Sequence, residues 1–70
     1  MKRLHFFMIR DTRTREDYER VKKHLESLDG ILRVEYEMDV GIVGIEYEDE
    51  KISKDDLKEE VGKLGYRLLV

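Results

Sequence analysis

The sequence predicts an α+β domain whose elements follow the order strand, helix, strand, strand, helix, strand. Two observations carry this prediction. Apolar residues recur at helical spacing in two segments, and the four remaining apolar segments have the continuous or alternating pattern of strands. A chain of 70 residues is long enough for one domain, so residues 1–70 are predicted to form a single domain.

The first strand and first helix lie on either side of a polar turn. The run RLHFFMI, residues 3–9, is of strand length, and its continuous apolar character is typical of a strand covered on both faces. The polar stretch DTRTRED, residues 11–17, follows. Apolar residues then recur at helical spacing with charged residues between them, at Tyr18, Val21, Leu25 and Leu28. Asp29-Gly30 is expected to end this helix, because glycine accepts the left-handed cap conformation.

The middle of the chain reads as a hairpin. In residues 31–38, Val34, Tyr36 and Met38 alternate with charged residues, which predicts a strand with one wet face. The segment DVG, residues 39–41, turns the chain back. Residues 42–47 alternate again and predict a third strand.

The C-terminal third contains the second helix and the last strand. Ser53 followed three residues later by Asp56 has the pattern of a capping box, and Leu57, Val61 and Leu64 form the apolar stripe. Gly65 is expected to end the helix, and residues 66–70 to form the last strand. This order is that of the split βαβ, ferredoxin-like arrangement, an antiparallel sheet with both helices on one face.

Composition narrows the classes of function. Charged residues make up 44% of the chain, as expected for a well-solvated domain, and no apolar run approaches the roughly 20 residues of a membrane span. The absence of cysteine excludes disulfides, zinc ribbons and cysteine catalysis, and fits a cytoplasmic protein. Abundant Lys, Glu and Arg, without Asn or Gln, predict a thermostable protein from a thermophile, or a designed sequence.

The net charge of −3 combines +4 in residues 1–25 (8 basic, 4 acidic) with −7 in the remainder (6 basic, 13 acidic). Such an asymmetry can steer a partner or simply reflect two solvated faces.

Three segments in register resemble the heavy-metal-associated domain of copper chaperones and of the N-terminal modules of metal-transporting ATPases. They are LESLDGILRV (residues 25–34), VGIEY (residues 43–47) and SKDDLKEEVGKLGY (residues 53–66). Together they span most of the chain. The resemblance implies a ferredoxin-like fold, no catalysis and a role in metal handling or protein interaction.

The metal-binding motif of that family, Met-Thr/His-Cys-x-x-Cys in the first turn, has no counterpart here. By position its two cysteines fall on Thr14 and Asp17, its methionine on Thr12 and its glycine on Asp11. A hydroxyl and a carboxylate do not supply the soft ligands that Cu(I) requires. Thr14 and Asp17 instead have the spacing of a capping box, so the turn is predicted to be a structural helix start worth about 1 kcal/mol.

Two other kinds of binding site remain as alternatives, one in the polar turn and one at the histidines. An anion or hard-cation site would use Asp11, Thr12, Arg13 and Thr14. A metal carrier without cysteine would use His5 or His24 with Met1 or Met8. Acylphosphatases share the topology and require an arginine in the first turn plus an asparagine. Arg10 and Arg13 are present but no Asn is. We therefore expect no catalytic residues, no cofactor and no metal ligand set.

The first strand carries the remaining prediction about binding. In the register implied by the resemblance, His5, Phe7 and Ile9 point toward the helices. The opposite, helix-free face would then carry an apolar stripe that we predict to be a protein interface: Leu4, Phe6, Met8, Ile42 and Leu69. The partner is expected to be a second copy (a homo-oligomer) or another protein. Phe6 could also stack on a base, but Glu35, Glu37 and Glu46 on the same face would repel phosphate, so no nucleic acid is expected.

Overall fold

The computed structural model describes residues 1–69 and confirms the ferredoxin-like βαββαβ fold. A short 3-10 helix, Met38–Val40, joins the second and third strands. The elements in chain order are β1 (Lys2–Arg10), α1 (Arg15–Glu26), β2 (Ile31–Glu37), β3 (Ile42–Glu48), α2 (Lys54–Gly62) and β4 (Arg67–Leu69).

All neighbouring strands in the sheet are antiparallel, and their order is β2-β3-β1-β4. The two central strands are therefore β1 and β3. Phe6 lies opposite Gly44 across this central pair. The edge strand β2 contains an irregularity between Ile31 and Arg33, which shifts its register against β3.

One face of the sheet packs against both helices and forms the core. The alternation of β1 places Phe7 and Ile9 on this face, where they are buried, while α1 contributes Val21 and Leu25. Because successive strand residues point to opposite faces, Leu4, Phe6 and Met8 lie on the other face, where they are exposed. The remaining buried hydrophobic residues are Tyr18, Val34, Val43, Ile45, Tyr47, Ile52, Leu57, Val61, Tyr66 and Leu68.

Both helices end earlier than the sequence predicted. Helix α1 ends at Glu26, and Leu28 packs against the core from the following turn. The hydroxyl of Ser27 donates to the carbonyl oxygen of His24, which offers the backbone an alternative to another helical turn. Gly30 does take the left-handed conformation, with φ of 96°, but it redirects the chain into β2 instead of capping the helix.

Three smaller boundaries also differ from the prediction. Helix α2 ends at Gly62, and Leu64 lies half-buried after it. Met38 belongs to the 3-10 helix and not to β2. Strand β4 begins at Arg67, so that the buried Tyr66 precedes it, and the predicted last residue, Val70, lies outside the described residues. Each difference amounts to one or two residues at the end of an element, where terminal turns and strand pairs fray.

Candidate functional site

The turn between β1 and α1 holds a capping box at the place where the resembling family has its metal ligands. The Thr14 hydroxyl accepts from the Asp17 amide at 3.3 Å, and Asp17 accepts in return from the Thr14 amide at 3.1 Å. Asp11, which stands where the family has glycine, is in the left-handed region with φ of 75°. Aspartate is among the non-glycine residues that tolerate this conformation best. The turn therefore has a glycine-like bend at Asp11 without the thiol ligands.

The Asp17 carboxylate is held by hydrogen bonds to both of its oxygens. Oδ2 accepts from the amides of Arg13 at 2.8 Å and Thr14 at 3.1 Å. Oδ1 accepts from the Tyr66 hydroxyl at 2.7 Å and from the Arg20 guanidinium at 3.4 Å. The Tyr66 bond, followed by the two amide bonds, lowers the pKa of Asp17 to about 2. A carboxylate so fully engaged is a structural anchor that ties the start of α1 to the start of β4.

Asp17 predicts a specific acid sensitivity. Its folded-state pKa of about 2 lies below its ordinary value of 3.8, so its stabilisation is complete above pH 3.8 and is lost as the pH falls toward 2. We expect Asp17→Asn to make the fall in unfolding free energy between pH 4 and 2 shallower than in the wild type. Urea unfolding at several pH values measures this slope. Glu16→Gln, a change to the neighbouring acid in the same turn, is the control, and equal slopes for wild type and Asp17→Asn would contradict the prediction.

The two histidines lie on different elements and do not come together. His24 Nε2 lies 2.9 Å from Glu60 Oε1 and so bridges α1 and α2. His5 is half-buried on the helix side of β1, with its ring centroid 4.5 Å from that of Phe7. Burial lowers the pKa of His5, and Lys54 and Lys58 nearby add to the effect.

The alternative ligand sets gain no support from this geometry. Met8 is on the helix-free face, opposite to the side that His5 occupies. Across residues 1–69, no group of three or more His, Asp or Glu side chains is arranged to hold a metal ion. In the polar turn, the Thr14 hydroxyl and the Asp17 carboxylate are both engaged in capping the helix.

The helix-free face carries the apolar stripe that the sequence predicted, which we call the open-face patch: Leu4, Phe6, Met8, Ile42 and Leu69. Leu4, Phe6 and Met8 are 54%, 64% and 49% exposed, while Ile42 and Leu69 are half-buried. Cross-strand pairing places Met8 between Ile42 and Leu69. The patch is thus continuous across three strands.

Phe6 is the most exposed member of the patch, and Gly44 sets the position of its ring. A Cβ added at Gly44 would lie 2.8 Å from Cε1 of Phe6, so the ring leans from β1 over the bare backbone of β3. Glycine in a strand interior commonly marks such a close approach. The sequence indicated the exposure of Phe6 but not this overlap.

Two contacts of the site region had no signal in the sequence. The bond from Tyr66 to Asp17 joins residues 49 positions apart, and the contact between His24 and Glu60 joins residues 36 apart. Gly65 and Tyr66 belong to the segments that carry the family resemblance, but the partner of the Tyr66 hydroxyl depends on the fold.

Solved structures of related shape are numerous, although no sequence-family model and no curated protein matches the chain. The N-terminal domain of a potential copper-translocating P-type ATPase from Bacillus subtilis, in its Cu(I)-loaded state, is 30% identical, with a TM-score of 0.95. The alignment covers 100% of this chain and 88% of that one.

Two further structures, each under 25% identical, show the shared fold alone. The CopZ metallochaperone is 18% identical with a TM-score of 0.89, and the alignment covers 96% of this chain and 100% of that one. Oxidized MerP from Ralstonia metallidurans CH34 is 16% identical with a TM-score of 0.91, and the alignment covers 97% of this chain and 94% of that one.

Across the described residues, neither helix has the length and apolar character needed to cross a bilayer.

Proposed function

The chain belongs to the heavy-metal-associated domain family, and within that family we propose that it is a non-catalytic protein-interaction module. In this proposal the thiolate metal site has been lost, and the domain binds protein through the open-face patch. Similar proteins include metallochaperones and a domain solved with Cu(I) bound, which supports a place in metal-associated processes. The family likeness supports a protein partner for the domain and not a substrate.

One observation carries the proposal: the residues at the two positions where the family has thiol ligands are hydrogen-bonded to each other in a capping box. Thr14 and Asp17 satisfy each other's backbone amides, and Asp17 also binds Tyr66. Cu(I) selects soft thiolate and thioether ligands. Binding a metal at this turn through Asp17 would require breaking the hydrogen bonds that cap α1 and the bond that links α1 to Tyr66, the residue before β4. The first turn therefore supports a structural role.

The exposed side chains support the second half of the proposal. A continuous apolar patch on a small, highly charged protein is typical of an interaction surface. Phe6 is 64% exposed at the centre of a four-stranded sheet, and nothing in the fold of residues 1–69 covers it. Aromatic residues and methionine, both present in the patch, are enriched at the centres of protein interfaces.

We expect Phe6→Glu to abolish binding through this face without unfolding the domain. The charge would have to be desolvated in any complex, whereas the exposed ring contributes little to the core. Sedimentation equilibrium in metal-free buffer, over a wide concentration range, should show assemblies for the wild type and only monomers for Phe6→Glu. Val40→Glu is the matched control, because Val40 is 62% exposed but lies in the 3-10 helix.

An assembly that survives Phe6→Glu would remove the open-face patch from the proposal. A wild type that is monomeric at every concentration would rule out self-association and leave a foreign protein as the partner. Wild type and Phe6→Glu would then be compared as baits, and capture of the same proteins by both would overturn docking through this face.

A further inference from the structure

Charged side chains lie on both sides of one end of the open-face patch. Pairing across the four strands puts Glu37, Ile42, Met8 and Leu69 in one row from edge to edge. Glu37 is at the β2 end of this row. At the β4 end, the next pair on the same face, two residues along the strands, is Arg10 and Arg67. At this end the face is thus acidic at the β2 edge and basic at the β4 edge, with apolar side chains between. Arg33 and Glu46 lie together at the other end of the face, where Glu46 is opposite Leu4.

The basic pair is an unfavourable arrangement within a single chain. Arg10 and Arg67 are direct cross-strand partners and both are exposed, and like charges opposite each other on a sheet repel. Within residues 1–69, neither arginine makes an ion pair, nor does Glu37. An opposite charge on another molecule would stabilise these three groups. A second copy of the chain would bring such charges, because it carries both the arginine pair and Glu37 on the same face.

We propose that the occupant of the open-face patch is a second copy of this chain. The two copies would be related by a two-fold axis that runs parallel to the strands, between β1 and β3. This inference rests on the proposed function, since it names the partner of the same face. Such an axis lays β2 of each copy over β4 of the other, with Glu37 above Leu69 of the second copy. Arg67 of the second copy, two residues further along β4, is then the cation nearest to Glu37 on both sides. Stacked sheets keep their strands within about 30° of each other.

The central contacts also favour this axis. It lays β3 of each copy over β1 of the other, so Ile42 faces Met8 of the second copy. The ring of Phe6 leans toward β3 over Gly44, which is toward the axis, and the two Phe6 rings would therefore meet at the centre. Aromatic pairs at such a position contribute beyond the area that they bury.

The other simple two-fold arrangement is disfavoured by charge. An axis across the strands would lay β2 over β2, and would bring Glu35 of one copy close to Glu35 of the other. It would also bring Arg10 toward Lys2 of the second copy, since these residues are at opposite ends of β1. Only Glu37 would gain a partner, Arg33. Like-charge contacts of this kind select against an orientation.

The area of the face sets the expected affinity of the dimer. Strands of seven and nine residues at its centre, in a sheet with spacings of about 4.8 Å, give a face of about 500 Å² per copy. About 1,000 Å² in total is the lower limit for specific interfaces. The dimer is therefore expected to be concentration-dependent, in rapid exchange with the monomer.

Charge exchange between the two edges tests the proposal. Glu37→Arg and Arg67→Glu should each weaken the dimer at least tenfold in sedimentation equilibrium, because each creates two like-charge contacts. An equimolar mixture of the two variants should recover the wild-type mass, since in the mixed dimer both contacts again join opposite charges. The double variant Glu37→Arg/Arg67→Glu should recover it alone. Added salt should weaken these assemblies.

The outcomes separate this inference from the proposed function. If Phe6→Glu dissolves the dimer but the mixture and the double variant stay monomeric, the axis is wrong while docking through the face stands. Recovery of Glu37→Arg by Arg33→Glu, and not by Arg67→Glu, would establish the axis across the strands. A monomeric wild type at all concentrations would overturn the second copy as occupant, and the bait comparison would then decide the proposed function.

Discussion

Cu(I) held by a competing chromogenic ligand is expected to remain with that ligand when the wild-type chain is added, and to transfer to Thr14→Cys/Asp17→Cys. The double variant places thiols at both family positions, three residues apart at the start of α1. Thiolates bind Cu(I), whereas a hydroxyl and a hydrogen-bonded carboxylate do not. The apparent affinity should rise by several orders of magnitude, with one ion per chain. Loss of the competitor's absorbance measures the transfer under anaerobic conditions.

Thr14→Ala/Asp17→Ala is the matched control for this titration. It removes the same capping box without adding thiols, so it separates ligand chemistry from loosening of the turn. A wild type that takes up one equivalent of Cu(I) would contradict the proposed loss of the metal site. One equivalent of Zn(II) bound by the wild type would instead promote the alternative function, a metal carrier with non-cysteine ligands.

The largest loss of stability is expected for Leu25→Ala. Leu25 is fully buried between α1 and the sheet, and replacing a buried leucine by alanine costs about 2–5 kcal/mol. A domain of this length has a total unfolding free energy of about 4–10 kcal/mol. The melting temperature should therefore fall by roughly 8–40 °C. Thermal unfolding followed by circular dichroism checks this value.

Leu32→Ala is the control for the core substitution. Leu32 is 47% exposed on the edge strand β2, so the same chemical change should alter the unfolding free energy by about 0.5 kcal/mol or less. Equal losses for the two variants would mean that Leu25 is not in a packed core. That result would place the fold itself in question.

Patterns with a local physical cause were predictable from the sequence. Both helix starts follow from capping boxes, in which the two partners are only three residues apart. The open-face patch follows from the period-two geometry of strands, which assigns Phe6 and Phe7 to opposite faces once Phe7 is placed in the core.

Two kinds of feature were not predictable: those that depend on distant partners, and a local side-chain hydrogen bond that leaves no mark on the apolar periodicity. The anchoring of Asp17 by Tyr66 brings together two chain segments that only the finished fold makes adjacent. The early end of α1 arose from Ser27, whose side chain competes with the helix in a way that apolar periodicity does not register. The overlap of Phe6 with Gly44 required the actual orientation of the ring.

The two edges of the sheet limit how copies of this chain can associate. Strand β2 ends the sheet on one side with an irregular register near Ile31 and three exposed charged residues, Arg33, Glu35 and Glu37. Strand β4, on the other side, is only three residues long as described. Charged, irregular or very short edges resist strand-by-strand extension, the route by which sheets grow into fibres. Two copies stacked face to face would bury the apolar surface of both and leave only these edges exposed. The proposed assembly would therefore stop at the dimer, with neither an apolar face nor a regular strand edge available for a third copy.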